Sequence, residues 1–82
     1  MHISSLIVHA KPGKDALFRT QIATLDGVEL HAVADDGRMI VTMESVDDAA
    51  IRNTYEAIER LDGVISVAMV YHQVESDPDK EI

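Results

Sequence analysis

The sequence predicts one α+β domain with the element order strand-helix-strand, strand-helix-strand. Its 82 residues accommodate a single domain, and apolar residues switch along the chain between strand-like runs and helix-like spacing. The tetrapeptide Leu-Asp-Gly-Val also occurs twice, at 25–28 and 61–64, each time before an apolar stretch. A chain of this size and element order is expected to adopt a ferredoxin-like fold, in which four antiparallel strands in the spatial order 4-1-3-2 carry both helices on one face.

The first half begins with the β-branched, apolar segment Ile3–Ala10, which is typical of a strand covered on both faces. Apolar residues at i, i+4 and i+7 predict a helix over Lys14–Leu25. We expect Gly27 to end that helix, because glycine readily adopts the left-handed conformation that often follows a helix. The segment Val28–Ala34 is expected to form the second strand.

The second half begins with a tight turn, in which Asp36 and Gly37 are expected to supply positive φ angles. This turn leads into the third strand, Arg38–Glu44. Ser45, with Asp48 three residues later, predicts a capping box at the start of the second helix.

Four apolar residues at helical spacing predict the body of that helix: Ile51, Tyr55, Ile58 and Leu61. Gly63 is expected to end it, and Val64–Val74 to form the last strand. Each Leu-Asp-Gly-Val therefore marks the same junction between a helix and a strand, which we interpret as a duplication of architecture. We expect residues 1–75 to form the domain and residues 76–82 to form a polar tail.

Charge and composition exclude several classes of function. With 15 acidic and 7 basic residues, the chain has a net charge of −8, which disfavours nucleic acid and anionic membranes and favours a basic partner. The absence of cysteine excludes disulfides and thiolate chemistry. No stretch is apolar over the roughly 20 residues that span a bilayer, and the first residues do not form a secretory signal. We therefore expect a soluble, cytoplasmic protein that does not insert into membranes.

The polar residues do not predict a catalytic or metal site. The first and last strands are neighbours in the predicted sheet, which brings His2 near His72, but no cysteine or further histidine completes the ligand set of a tetrahedral site. The serines lack a glycine-flanked elbow and suitably spaced partners. We therefore expect neither an enzyme nor a bound metal or other cofactor.

The strands carry more apolar residues than a sheet covered on one face requires. Uncovered sheet faces are normally polar, but both alternating sets of the first and last strands are apolar here. One set is expected to face the helices: Leu6, Val8, Met39, Val41, Val67, Met69 and Tyr71. The other set is expected to line the open face and bind a partner: Ile7, His9, Ile40, Thr42, Ala68, Val70 and His72. The alternative explanation is that central strands are apolar because of β propensity alone.

Four segments of the chain resemble NapD-type proteins, which are small cytoplasmic chaperones for the catalytic subunit of periplasmic nitrate reductase. They are HISSLIVHAKP at 2–12, LDGVELHAV at 25–33, DGRMIVTME at 36–44 and LDGVISVAMVYHQVE at 61–75. The resemblance implies a ferredoxin-like fold and binding of the client's twin-arginine signal peptide, which keeps the precursor from the twin-arginine translocase during insertion of its molybdenum cofactor and iron–sulfur cluster. It also implies that the chaperone binds neither cofactor.

A signal peptide of this kind has a basic start and an apolar middle, so its receptor needs acidic surroundings and an exposed apolar area. Two docking modes suit the sequence: a helix across the open face, or a strand added beside Val28–Ala34. We favour the first, because the unexplained apolar residues lie there. Glu44 and Glu75, near strand ends, are the expected partners of the arginine pair. The sequence leaves the oligomeric state open and favours a monomer.

The alternative function is that of a ferredoxin-like regulatory domain that senses a small molecule. Such domains commonly work as dimers or as attachments to enzymes, and this chain has no glycine-rich ligand loop. An acylphosphatase-like hydrolase would need an arginine-bearing anion loop after the first strand, where KPGKD at 11–15 offers only lysines.

Overall fold

The computed structural model describes residues 1–74, which form four strands and two helices. These are β1 (His2–Ala10), α1 (Asp15–Ile22), β2 (Val28–Val33), β3 (Arg38–Ser45), α2 (Asp48–Glu59) and β4 (Val64–Val74). The strands form one antiparallel sheet in the order β2-β3-β1-β4. The predicted element order and sheet topology are therefore confirmed. Glu75 and the expected tail at 76–82 lie outside the described residues.

The core lies between the two helices and one face of the sheet. Burial alternates along β1 and β3, so that every second residue of each strand is buried against the helices. The buried strand residues are Ser4, Leu6, Val8, Ala10, Met39, Val41 and Met43, and the buried helix residues are Phe18, Ile22, Ile51 and Ile58. The apolar members of both sets form a single cluster, so both helices cover the same face of the sheet.

Helix α2 begins at a different cap from the one predicted. Its N-cap residue is Asp47, whose carboxylate accepts a hydrogen bond from the backbone N–H of Ala49 at 2.9 Å. The hydroxyl of Ser45 accepts instead from the backbone N–H of Asp47 at 3.1 Å. The predicted capping box of Ser45 and Asp48 is therefore wrong, because Ser45 still belongs to β3, and the Asp48 carboxylate is left for contacts with other elements.

The two copies of Leu-Asp-Gly-Val occupy equivalent junctions, but their glycines do not end the helices, which stop several residues earlier. Each glycine instead joins its strand to a neighbouring one. The carbonyl oxygen of Gly27 accepts from the backbone N–H of Glu44, and that of Gly63 accepts from the backbone N–H of Lys11, both at 2.8 Å. The repeat therefore marks where β2 and β4 begin to pair with the sheet.

The turn between β2 and β3 contains one left-handed residue rather than the two predicted. Gly37 has a φ of 89°, and within the described chain no residue other than glycine has a positive φ. The backbone N–H of Gly37 donates to the carbonyl of Ala34, whose own N–H donates to the carbonyl of Arg38. These bonds define a three-residue loop in which Asp36 keeps an ordinary backbone conformation.

We predict that Gly27→Ala destabilises the fold more than Gly13→Ala. Both glycines have positive φ, 74° and 78°, so each alanine is expected to cost about 1–2 kcal/mol in backbone strain. A Cβ at Gly27 would also collide with the carbonyl oxygen of Glu44, whereas at Gly13 no described atom lies within 4 Å. Urea unfolding followed by circular dichroism is expected to show a further loss of about 1–3 kcal/mol for the Gly27 variant. Equal losses would contradict the close approach.

Candidate functional site

The face of the sheet opposite the helices has an apolar centre. Paired residues in antiparallel strands point to the same side, so the register defines rows that cross this open face. One row consists entirely of apolar residues, and we call it the apolar row: Ala32, Ile40, Ile7 and Ala68. A shallow cavity of about 310 Å³ opens beside it, lined by Ile7, Ala32, Val33, Ala34, Arg38 and Ile40.

Three further rows complete the open face. The row nearest the β2-β3 turn contains Arg38, His9 and Ser66. On the other side of the apolar row lie Glu29, Thr42, Ser5 and Tyr71, followed by Glu44, Ile3 and Gln73. Residues two apart on a strand are separated by about 6.8 Å, so the four rows extend over about 20 Å along the strands.

Two carboxylates lie close together at one corner of the open face. Glu29 and Glu44, the acidic corner, line the same cavity of about 140 Å³ together with Thr42. The hydroxyl of Thr42 is hydrogen-bonded to Nε2 of His31 at 2.6 Å, and the same nitrogen lies 3.6 Å from a carboxylate oxygen of Glu29. Among residues 1–74, no basic side chain forms an ion pair with Glu44. The acidic corner is therefore open to a positively charged group.

The basic residue at the opposite end of the open face is already neutralised. The backbone N–H of Arg38 donates to Oδ1 of Asp36 at 3.1 Å, and Nε of Arg38 donates to Oδ2 at 2.7 Å. The backbone hydrogen bond and the guanidinium together lower the pKa of the Asp36 carboxyl from its usual value. The open face consequently runs from a compensated ion pair, across the apolar row, to the acidic corner.

A β-bulge in β4 reverses two predicted placements. Val70 has no partner on β1, and the register slips by one residue at this point. Beyond the bulge, Tyr71 lies opposite Ser5 on the open face, and His72 lies opposite the buried Ser4 on the helix side. The prediction that His72 lines the open face is therefore wrong, and so is the inward placement of Tyr71.

The register places most of the other predicted residues on the expected face. Ile7, His9, Ile40, Thr42 and Ala68 lie on the open face. Their part in binding a partner stays a prediction.

Two further predicted residues stand apart from these rows. Val70 is 56% exposed at the bulge, and Glu75 lies outside the described residues.

Sequence reasoning missed Glu29 as a partner for a basic group. The available signal was the position of Glu29 within β2, because the pairing of β2 with β3 places Glu29 on the same face of the sheet as Thr42.

A second group of polar side chains lies on the helix side of the sheet. His2, Asp48 and His72 each offer one ligand atom, and these atoms lie within 4.8 Å of one another. The sequence predicted the proximity of the two histidines but not the carboxylate from α2, because only the packing of α2 brings Asp48 to this end of the sheet.

Comparison with known proteins links the chain to one family. The model of the family described as NapD protein matches residues 1–76. Chaperone NapD of Paracoccus pantotrophus is 36% identical over 74 residues, and the match covers 90% of this chain but 65% of that protein. The chain thus spans about two thirds of the length of this relative. Chaperone NapD of Escherichia coli K12 is 36% identical over 75 residues, covering 89% of this chain and 85% of that protein.

A solved structure has the same fold. The solution structure of the E. coli Tat proofreading chaperone protein NapD matches with a TM-score of 0.76 at 34% identity, covering 95% of this chain and 83% of that chain. Neither helix in the described part of the chain combines the length and the apolar character needed to cross a membrane.

Adjacent residues of β3 are predicted to respond in opposite ways to a charge. Met39 is fully buried and Ile40 is 38% exposed on the open face. Met39→Glu is expected to remove more than about 4 kcal/mol and so to unfold the domain, because it buries an unpaired charge. Ile40→Glu is expected to change stability by less than about 1 kcal/mol. Thermal unfolding by circular dichroism distinguishes the two, and loss of the fold in the Ile40 variant would mean that this face is not exposed.

Proposed function

The chain belongs to the NapD protein family, and we propose that it binds the twin-arginine signal peptide of a periplasmic nitrate reductase catalytic subunit. Binding would delay export of that precursor until cofactor insertion is complete. Its relatives carry the name of a chaperone, and its structural neighbour is a Tat proofreading chaperone. We further propose that the chain works in the cytoplasm, as a binding protein without catalytic activity.

The observation that carries this proposal is the apolar row bordered by the acidic corner. No element formed by residues 1–74 covers this sheet face, and the isoleucines at its centre present apolar surface that the core does not use. The length of about 20 Å along the strands corresponds to about 13 residues of α-helix. A short helical segment with an apolar side therefore fits the open face.

Charge gives the bound peptide a direction. The two arginines of the motif precede its apolar segment, and the acidic corner lies next to one end of the open face. Arginine forms bidentate hydrogen bonds with carboxylates, so we place the arginine pair on Glu29 and Glu44. The apolar segment then lies over Ile40 and Ile7 and extends toward the far end of the face, where Asp36 compensates the charge of Arg38.

Addition of the peptide as a strand is less well supported. The edge strand β2 has only six residues, and its register against β3 slips between Leu30 and Ala32. A bulge of this kind disrupts the regular ladder that an added strand would extend. The open face offers both the apolar area and the acids, so we favour a helix across it over a strand beside β2.

We predict that the acidic corner recognises the arginine pair. In isothermal titration calorimetry with a synthetic twin-arginine signal peptide, the double variant Glu29→Gln/Glu44→Gln is expected to bind at least about tenfold more weakly, which is about 1.4 kcal/mol. The matched control is Glu56→Gln/Glu59→Gln, which removes the same charge from exposed positions of α2.

A peptide with both arginines replaced by alanine completes a double-mutant cycle between the acidic corner and the arginine pair. It is expected to bind the unmodified protein and the Glu29/Glu44 double variant with the same affinity, because the contact that distinguishes the two proteins is then missing. If the α2 control variant weakened peptide binding equally, net charge rather than the acidic corner would explain the effect. If the alanine peptide bound the unmodified protein as tightly as the original peptide, recognition of the arginine pair would be contradicted.

We also predict that the apolar row carries the apolar part of the peptide. Ile40→Glu is expected to weaken binding at least about tenfold, because it places a charge against an apolar segment. Val46→Glu adds the same charge at a position that is 82% exposed and outside the open face, and it is expected to leave affinity unchanged. The same titration measures both variants, and equal affinities would place the peptide elsewhere.

A further inference from the structure

Three side chains from different elements converge on the helix side of the sheet, near the start of β1. His2 begins β1, His72 lies in β4 beyond the bulge, and Asp48 is the first residue of α2. The two imidazole rings have their centroids 5.7 Å apart, and Nδ1 of His2 lies 3.8 Å from Oδ1 of Asp48. Two imidazoles and one carboxylate are a ligand set that proteins use for divalent transition metals.

The other polar atoms of two of these side chains are already engaged. Nη1 of Arg52 donates to Oδ2 of Asp48 at 3.1 Å, which leaves Oδ1 on the side of His2. The hydroxyl of Ser4, which is fully buried, is hydrogen-bonded to Nδ1 of His72 at 2.6 Å, which leaves Nε2 as the second ring nitrogen. Metal-binding histidines and carboxylates typically have such outer partners, which fix the orientation of the ligand.

The third side chain carries a buried nitrogen without a hydrogen bond. Nδ1 of His2 is inaccessible to solvent and has no hydrogen-bond partner within the described residues. Buried polar atoms normally have a partner, and leaving one unsatisfied is unfavourable. This nitrogen lies beside Oδ1 of Asp48 and is therefore the atom of His2 in position to bind a cation.

We propose that His2, Asp48 and His72 bind a divalent transition-metal ion of the Zn²⁺ type, with water completing its coordination. Bonds of about 2.0–2.2 Å to nitrogen and oxygen require the three ligand atoms to move together by about 1 Å, which side-chain rotation supplies. The N-terminus of α2 by itself disfavours a cation. The carboxylate of Asp48 and the capping carboxylate of Asp47 offset this effect, and the net charge of −8 attracts cations to the protein.

This metal site is distinct from the proposed peptide site. Its ligands lie on the helix side of the sheet, whereas the apolar row and the acidic corner lie on the open face. Metal binding is therefore expected in the absence of any peptide, and its failure would leave the proposed chaperone function untouched.

Titration of the untagged protein with Zn²⁺ and with Co²⁺ tests the site. Calorimetry is expected to give one ion per chain, and Co²⁺ is expected to develop visible absorption bands of a protein-bound ion. His2→Ala, His72→Ala and Asp48→Asn should each weaken binding at least tenfold. Ser4→Ala, which removes the outer partner of His72, is expected to weaken it about 10–100-fold. The matched control is His31→Ala, which removes a histidine of the open face and should bind the ion as the unmodified protein does.

Circular dichroism in the presence of a chelator establishes that each variant is folded. If His72→Ala does not fold, Asp48→Asn decides the question, because Asp48 is an exposed residue. Zn²⁺ is expected to raise the melting temperature of the unmodified protein and of His31→Ala, but not that of the ligand variants. Unchanged affinity in Asp48→Asn, equal loss in His31→Ala, or the absence of binding to the unmodified protein would each overturn the proposal.

Discussion

Both helices pack on the same face of the sheet, and this constraint determines what each strand residue can do. Alternate residues of β1 and β3 form the core with the helices, so folding accounts for Leu6, Val8, Met39 and Val41. The intervening residues receive no helix above them within residues 1–74, and yet Ile7 and Ile40 among them are apolar. Since the core is complete without these isoleucines, we propose that a partner covers them and that it carries positive charge complementary to the acidic corner.

The bulge at Val70 has consequences on both faces of the sheet. Without it, His72 would point to the open face, away from Ser4 and Asp48, and Tyr71 would compete for space under the helices. An edge strand tolerates such an irregularity, because only one side of its ladder is paired. β4 is an edge strand and pairs with no strand other than β1 in the described sheet, so the unpaired Val70 changes the chemistry of two surfaces without disturbing the core.

The fold could be predicted from the sequence because its signals are local. Helical spacing, β-branched runs and the repeated Leu-Asp-Gly-Val each lie within a few residues of the element they specify. The errors on the last strand and at Gly63 arose where the outcome depends on distant residues. Pairing with β1 determines which face of the sheet Tyr71 and His72 point to. The hydrogen bond from Lys11 determines that Gly63 leads into a strand and does not end a helix. The acidic corner exists only once Glu29 is brought beside Glu44 by the pairing of β2 and β3, and no spacing along the chain reports that.

The hydrogen bond between Ser4 and His72 links the two surfaces physically. Successive side chains of a strand point to opposite faces, so any contact that holds His72 on the helix side also holds Tyr71 on the open face. Ser4 is a polar residue buried in an otherwise apolar set, and its hydroxyl forms this bond across 68 positions of sequence. A slip of β4 by one residue would break the bond and leave a buried hydroxyl unsatisfied, which is unfavourable. The hydrogen bond of the buried serine therefore favours the register on which the composition of the open face depends.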